Sequence, residues 1–289
     1  MNYRHAFHAG NFADVMKHVL LVRLLRAMQR KEKGFLYLDT HAGRGGYDLE
    51  RAATGTTLAR KPEWPDGLGR LWPRDDLPPL MAEYIALVRD FDRNRGNIDA
   101  SIRFYPGSPA LARMVGRIQD RLALCEQHPA EAAALRDEFC FASRTSVHQM
   151  DGYVAMRAML PAAERRALVL IDPPFEAGNE FAAITNALAA GLERQPAAVF
   201  AVWYPLTERA RVDDFFVALR ELALPPTMAA ELAVGGEHAD LKMKGCGLLI
   251  LNPPWQFDRE VEPLLRFMAD VLAQAPGGNA RIEWIVPER

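Results

Sequence analysis

The sequence predicts an α/β protein with a mostly parallel sheet covered by helices on both faces. Two observations carry that expectation. Short apolar runs alternate with helical stretches along most of the 289 residues, which is the rhythm of β-α-β units. Four of those runs lead into a glycine loop or an acid. Such groups then collect beyond the carboxyl ends of the strands, where parallel sheets bind ligands. The hydrophobic fraction of 49% and charged fraction of 25% suit a globular chain that buries a full core without staples.

Asn11 to Lys33 reads as an amphipathic helix. Asn11 can cap it, Asp14 lies in the first turn, and Gly34 stops it. Phe35 to Leu38 is a short strand, and the loop "DTHAGRG" (Asp39 to Gly45) follows. From Leu49 to about Ala100 the rhythm breaks. "RKPEWPDGLGRLWPRDDLPP" is rich in proline, and "PLMAEYIALVRDFDRN" reads as a helix. Residues 49–100 are therefore expected as an inserted helical subdomain within one domain spanning 1–289. The alternation then resumes. "SPALARMVGRIQD" is helical, "RLALCEQHP" is a strand ending near Glu126, and "PAEAAALRDEF" is helical. "TSVHQMDGY" is a strand leading to Asp151 and Gly152, "YVAMRAML" a helix, and "RALVLIDPPF" a strand. "NEFAAITNALAAGLERQ" is helical, "PAAVFAVWYP" a strand, and "ERARVDDFFVALRELAL" helical. "TMAAELAV" and "GCGLLILNPPW" are late strands, "FDREVEPLLRFMADVLAQAPGG" is a helix, and "ARIEWIVP" a further strand.

A net charge of −2 argues against a protein that coats nucleic acid by bulk charge. It leaves room for an enzyme with a local basic face, and Val22–Lys33 and Arg93–Arg103 are the candidates, each read first as a solvated helix face. The three cysteines, Cys125, Cys140 and Cys246, lie far apart and form no C-x-x-C pair. They suggest neither a disulfide framework nor a zinc site. No apolar run is long enough to span a bilayer, and no apolar signal core opens the chain. A cytoplasmic protein is expected, and the lack of an exposed heptad makes a monomer the expectation.

The rim of the sheet carries the chemistry. Gly43 lies where a backbone must pass close to a bound group. Glu126, at a strand end, can accept from both hydroxyls of a ribose. Asp151 can accept from the exocyclic amine of an adenine, with Gly152 leaving room for the ring. Together these loops fit an adenosine-containing cofactor, although each alone is an ordinary turn, cap or surface acid.

One word is written twice, as "LVLIDPPFE" (168–176) and "LLILNPPWQ" (248–256). An aromatic amine is a poor nucleophile because its lone pair is delocalised into the ring. An acceptor beside its protons favours the pyramidal nitrogen that attacks. Asp172 supplies one acceptor, and the rigid Pro173-Pro174 pair frees a backbone carbonyl as a second. Phe175 offers a face for stacking a base. The first copy ends the fourth strand, expected beside the first, and the second copy ends a strand further out. Asp172 is therefore the expected catalytic residue, and Asn252 is read as a turn with a packed Trp255. His5, His8, Asp14 and His18 could be read as metal ligands, but His5-x-x-His8 is not a helical pair and the inferred chemistry needs no Lewis acid, so no metal is expected.

The stretches "YRHAFHAGNFADVMKH", "FLYLDTHAGRGGY", "YPGSP", "CEQHP", "DGY", "IDPPF" and "WIVPE" resemble the RlmJ family. These are S-adenosylmethionine-dependent methyltransferases acting on adenine N6 in 23S ribosomal RNA. The resemblance covers essentially the whole chain, and its N-terminal stretch is its most specific part. It implies a Rossmann-like fold with a helical insertion after the first strand, which 49–100 would match. It also implies that Lys17, His18, His41, Ser108, Glu126, Asp151, Gly152 and Asp172 line the cofactor pocket. Tyr3 and His5 would contact the RNA, with their segment closing over it as a lid. The aromatic of the catalytic motif is often Tyr in such enzymes and is Phe175 here, which keeps stacking and loses a hydroxyl. Two rival functions fit parts of the sequence. A DNA adenine-N6 methyltransferase would need a sequence-reading module, and 49–100 is small for one and not conspicuously basic. A non-catalytic RNA-binding or ribosome-assembly factor would have no use for an intact D-P-P-F.

Overall fold

Asn11 starts the first helix as its side chain leads one to expect. The Asn11 carboxamide oxygen accepts from the Asp14 amide at 2.9 Å, and α1 covers Phe12–Gln29. It stops a turn short of Lys33, because Lys31, Glu32 and Lys33 are all exposed and give a further turn nothing to pack against. The computed structural model describes residues 7–54, 61–176 and 178–288.

In chain order the elements after α1 are β1 (Leu36–Asp39), β2 (Gly46–Asp48), α2 (Leu49–Thr54), α3 (Leu68–Leu71) and α4 (Pro79–Asn94). Then come β3 (Phe104–Pro106), α5 (Ser108–Val115), β4 (Arg121–Cys125), α6 (Pro129–Glu138), β5 (Thr145–His148), α7 (Gly152–Met159) and β6 (Ala167–Ile171). The remainder is α8 (Glu180–Arg194), β7 (Val199–Leu206), α9 (Arg209–Arg220), β8 (Thr227–Ala233), β9 (Gly245–Leu251), α10 (Phe257–Val271) and β10 (Asn279–Val286).

Eight strands form one sheet in the order β5-β4-β1-β6-β7-β9-β8-β10. From β5 to β7 every neighbour pair is parallel, with Leu38 opposite Ala123 on one side and Val169 on the other. Strand β9 runs antiparallel to both β7 and β8, and β10 antiparallel to β8. The period-two alternation of the strands divides the core in two. Tyr37, Leu168, Leu170 and Ile250 pack with Val15 and Val19 of α1, Leu111 of α5 and Leu265 of α10. Leu36, Leu38, Val169, Ile171 and Phe200 pack on the other face with Met156, Leu188 and Phe216 of α7, α8 and α9. Burial on both faces is why these strands read as unbroken apolar runs. The mostly parallel sheet with helices on both sides is the architecture expected from the sequence.

Two features were not legible. The three-residue strands β2 and β3 pair as a separate antiparallel ribbon, Tyr47 opposite Tyr105, and are too short to show any periodicity. They clasp the two ends of the segment holding α2, α3 and α4. The arginines of the α1 basic run are also engaged between helices, which the sequence did not show. Arg23 and Arg26 pair with Glu83 of α4, and Arg23 and Arg30 with Glu260 of α10, so they fasten three helices together. In the second basic run Arg95 pairs with Glu138 and Arg103 with Asp48.

Strand direction decides between the two copies of the repeated word. The antiparallel β9 places Leu251 opposite Phe200, near the start of β7. Asn252 therefore lies on the amino edge of the parallel strands, across the sheet from Asp172. Its side-chain amide donates to the carbonyls of Pro196 and Ala198, both at 2.8 Å, and its own φ is +53°. Trp255 was expected to pack and does not, being 70% exposed. The turn sends it outward, since Gln256 also sits at a φ of +60°. Asn252→Ala removes two neutral hydrogen bonds at a partly exposed site. We expect a stability loss of about 1–2 kcal/mol in urea unfolding and unchanged turnover per folded molecule.

Candidate active site

The four expected loops share one edge of the sheet. Strands β1, β4, β5 and β6 are parallel, so the residues after each of them emerge on the same side. Strand β1 has β4 on one flank and β6 on the other, which makes this the point where the strand order reverses and a crevice opens. Helix α1 precedes β1 through a short connection, so it runs back over the sheet and brings its amino-terminal half to this edge.

Lys17 is the hub. Its ammonium lies 2.5 Å from Asp172 Oδ2 and 2.9 Å from Asp14 Oδ1, and the Lys17 side chain is 5% exposed. Burial works against a charged lysine, yet the two carboxylates hold its pKa well above the usual range. Asp14 is fixed in turn, because its Oδ2 accepts from the Gly10 amide at 3.0 Å. The Lys17 contact occupies one oxygen of Asp172 and leaves Oδ1 for another donor.

Glu126 follows β4 and is aligned by two amides. Its Oε2 accepts from Gly43 N at 2.9 Å and its Oε1 from His128 N at 2.7 Å. Each oxygen keeps a lone pair, so the carboxylate can still receive two hydroxyls. Gly43 holds a φ of +59°, and a Cβ there would lie 2.5 Å from the Tyr47 hydroxyl. Asp151 caps α7, with Oδ1 accepting from Tyr153 N and Val154 N at 2.7 and 3.0 Å. A Cβ at Gly152 would fall 2.1 Å from the Thr40 carbonyl oxygen, so the start of α7 packs directly on the end of β1. His41 meets the Thr40 hydroxyl at 2.8 Å and the edge of Tyr153. Burial pulls it down to about 4, so it is neutral at pH 7.

His18 is buried, its Nδ1 2.7 Å from the Tyr105 hydroxyl. Ser108 opens α5 and donates to Asp39 Oδ2 at 2.7 Å, as does Tyr37. Asp39 itself was not singled out from the sequence, although it opens the quoted loop at the end of β1. It is fully buried, and among the described residues its Oδ1 has no hydrogen-bond partner. A buried carboxylate oxygen without a donor is costly, and a ligand ammonium would satisfy it. Pro173 is buried, the Pro174 carbonyl accepts from the Glu176 amide at 2.5 Å, and among the described residues the Pro173 carbonyl receives no hydrogen bond, which leaves it as a candidate second acceptor. The Phe175 ring is propped by Phe181 and Trp203, at centroid distances of 5.1 and 5.8 Å.

The expected residues His41, Gly43, Ser108, Glu126, Asp151, Gly152 and Asp172 thus follow strand ends or open helices at one edge of the sheet, and Lys17 and His18 lie in the amino-terminal half of α1 beside it. Tyr3 and His5 lie outside the described residues. Of the residues weighed as metal ligands, His8 pairs with Glu63, Asp14 with Lys17, and His18 with Tyr105. Among the described residues no three His, Cys, Asp or Glu side chains are grouped to hold a metal. No helix among them is long and apolar enough to cross a membrane.

Asp39 gives a pH signature. Burial pushes its carboxyl from 3.8 up to about 6, against the hydrogen bonds of Ser108 and Tyr37 that hold it down. The folded chain therefore holds this proton more tightly than the unfolded chain does. The resulting stabilisation is complete below the unfolded pKa and is lost as pH rises through the folded one. Without ligand, urea unfolding of wild type should lose roughly 2 kcal/mol relative to Asp39→Asn between about pH 4 and about pH 7. Parallel profiles for the two proteins would contradict the assignment.

Comparison with known proteins places this geometry in a family. The family model described as "Ribosomal RNA large subunit methyltransferase D, RlmJ" matches residues 32–286. The Ribosomal RNA large subunit methyltransferase J of Escherichia coli (strain K12) is 38% identical over 289 residues, covering all of both chains. Its namesake from Haemophilus influenzae is 36% identical over 288 residues, again with full coverage of both. The crystal structure of protein LPL1258 from Legionella pneumophila superposes with a TM-score of 0.84 at 35% identity, over 96% of this chain and 98% of that one. With the family model spanning most of the chain and relatives aligned from end to end, this chain belongs to the RlmJ family of ribosomal RNA large subunit methyltransferases.

Proposed function

We propose that this chain transfers a methyl group from S-adenosylmethionine to N6 of an adenine in 23S ribosomal RNA, with Asp172 as the catalytic residue. The observation that carries the reading is the shared edge. Asp172, held by Lys17, ends the strand beside β1, while Glu126 ends the strand on its other side. The family supports methylation of ribosomal RNA. The adenine N6 target is supported by the D-P-P-F chemistry, and the segment 49–100 is read as a helical subdomain of the same domain.

The described residues fit the cofactor. Glu126 would hold its ribose hydroxyls, and the unpartnered Asp39 Oδ1 and Ser108 would face its amino-acid end, with Lys17, His18 and His41 beside them. Asp151 would take the exocyclic amine of its adenine, above the turn that Gly43 and Gly152 allow. S-adenosylmethionine supplies an electrophilic methyl group on a sulfonium. Everything else falls to the chain. Phe175 stacks the target base after it leaves its helix, an extrusion costing a few kcal/mol unless the base is already unpaired. Asp172 Oδ1 and the Pro173 carbonyl accept the two N6–H bonds and pull the nitrogen toward a pyramidal geometry. The amine would take the methyl group as the sulfonium S–C bond breaks, with that bond's electron pair leaving on the neutral thioether sulfur of S-adenosylhomocysteine, and Asp172 would accept the proton the amine gives up. Tyr3 and His5 are proposed as RNA contacts on the resemblance alone.

Radiolabelled methyl transfer to 23S ribosomal RNA, with mass mapping of the product, tests the assignment. Wild type should form N6-methyladenine in RNA and leave duplex DNA unmodified. Asp172→Ala should lose at least a hundredfold in rate. Glu126→Ala should weaken S-adenosylhomocysteine by about tenfold or more while keeping much of the rate at saturation. Alanine at Tyr3 or His5 should cut transfer and spare cofactor affinity. An active Asp172→Ala enzyme, or methylation of another base, would overturn the proposal.

A further inference from the structure

The turn that leaves β1 ties one buried hydroxyl to two partners. The Thr40 hydroxyl lies 2.9 Å from the Leu170 carbonyl oxygen of β6 and 2.8 Å from His41 Nδ1. The Thr40 amide donates to the same carbonyl at 3.0 Å, so both polar groups of the residue are fixed to one atom of the neighbouring strand. Thr40 is 1% exposed. The His41 ring is held from another side by Tyr153 of α7, in a T-shaped contact at a centroid distance of 5.3 Å. Tyr153 is itself fixed, since its hydroxyl donates to Glu180 Oε1 at 2.5 Å. The His41 ring is only partly buried, and among the described residues its Nε2 makes no hydrogen bond.

The direction of these hydrogen bonds follows from counting protons. A hydroxyl has one proton to give and a carbonyl has none. The Thr40–Leu170 contact is therefore a hydrogen bond only if Thr40 donates it. The Thr40 oxygen then meets His41 as an acceptor, and Nδ1 carries the ring proton. In the reverse order Thr40 would donate to Nδ1. Its oxygen would then face the Leu170 oxygen lone pair to lone pair, and a buried hydrogen bond would be lost, so the first arrangement wins. Burial keeps the ring uncharged, with a pKa of about 4, although Asp172 and Asp151 pull the other way. A neutral ring protonated on Nδ1 has a bare lone pair on Nε2.

We infer that Thr40 is a positioning residue for the cofactor, acting by holding His41 as the Nδ1–H tautomer so that Nε2 accepts a hydrogen bond from the bound molecule. S-adenosylmethionine brings N–H and O–H donors to this edge in its ammonium, its ribose and its adenine amine. A neutral acceptor takes one of them without setting another negative charge beside Asp151 and Asp172, whose fields already reach the ring. The Thr40 hydroxyl also joins β1 to β6, so the strand that ends at Asp172 sets the tautomer of a ring on the strand beside it. The inference rests on the proposed placement of His41 at the cofactor.

Calorimetry with S-adenosylhomocysteine on the full chain separates that role from simple packing. Affinity is measured for wild type, Thr40→Val, Thr40→Ser, His41→Phe and the Thr40→Val, His41→Phe pair. Valine keeps the shape of threonine without its hydroxyl, and serine keeps the hydroxyl. Thr40→Val should weaken binding roughly tenfold, and Thr40→Ser should recover most of that loss. Adding Thr40→Val to His41→Phe should bring no further loss. Nitrogen-15 shifts of the His41 ring should report Nδ1–H in wild type and in Thr40→Ser, and a shift toward Nε2–H in Thr40→Val. An Nε2–H ring in wild type overturns the inference without any variant having to fold. So do an unchanged affinity in Thr40→Val, equal losses in both backgrounds, or a Thr40→Ser protein as weak as Thr40→Val. An unchanged affinity in His41→Phe overturns the placement of His41 at the cofactor, and the role of Thr40 with it.

Discussion

The ion triad of Asp14, Lys17 and Asp172 is the constraint on which the edge of this sheet depends. An ammonium 5% exposed to water is tolerable only with carboxylates on it. Asp14 comes from the same helix, but Asp172 comes from the end of β6, so the pair locks the start of α1 against the centre of the sheet. It also sets the rotation of α1 about its axis. His18, one residue on, then faces Tyr105, and Val15 and Val19 face the core. Removing one partner from such a buried pair costs about 3–5 kcal/mol, mostly for the charge left behind. In the proposed reaction the same contact leaves one oxygen of Asp172 for the substrate amine, so folding and chemistry draw on one lysine.

Chemistry alone does not separate the two copies of the proline-proline word. An aspartate and an asparagine both accept hydrogen bonds, and both copies end an apolar strand. Direction separates them. Six parallel strands would have put both words on one edge, whereas the antiparallel β9 carries Asn252 to the other. There its amide is spent on two carbonyls, and it stitches a turn to the start of β7. The same motif is thus a candidate reaction centre on one edge and a structural clasp on the other.

Much of this was legible in the residues. The Asn11 cap, the alternation of strands and helices, and the four acids and glycines at strand ends all follow from local chemistry that one sequence displays. Strand polarity is a tertiary property. Nothing within "GCGLLIL" says which way it runs. Ion pairs between α1, α4 and α10 were hidden for a similar cause, because Arg23 and Glu260 are far apart in sequence. The close packing of Gly152 on the Thr40 backbone was hidden in the same way.

The central claim is that the edge between β1 and β6 holds the cofactor with its reactive end toward Asp172. A crystal structure of this chain with S-adenosylhomocysteine tests it most directly. The account expects the ribose hydroxyls on Glu126, the amino group on Asp39 Oδ1, and the sulfur on the side of Asp172, with Lys17 still bridging Asp14 and Asp172. Ligand density at the Asn252 edge, or a ribose away from Glu126, would contradict it.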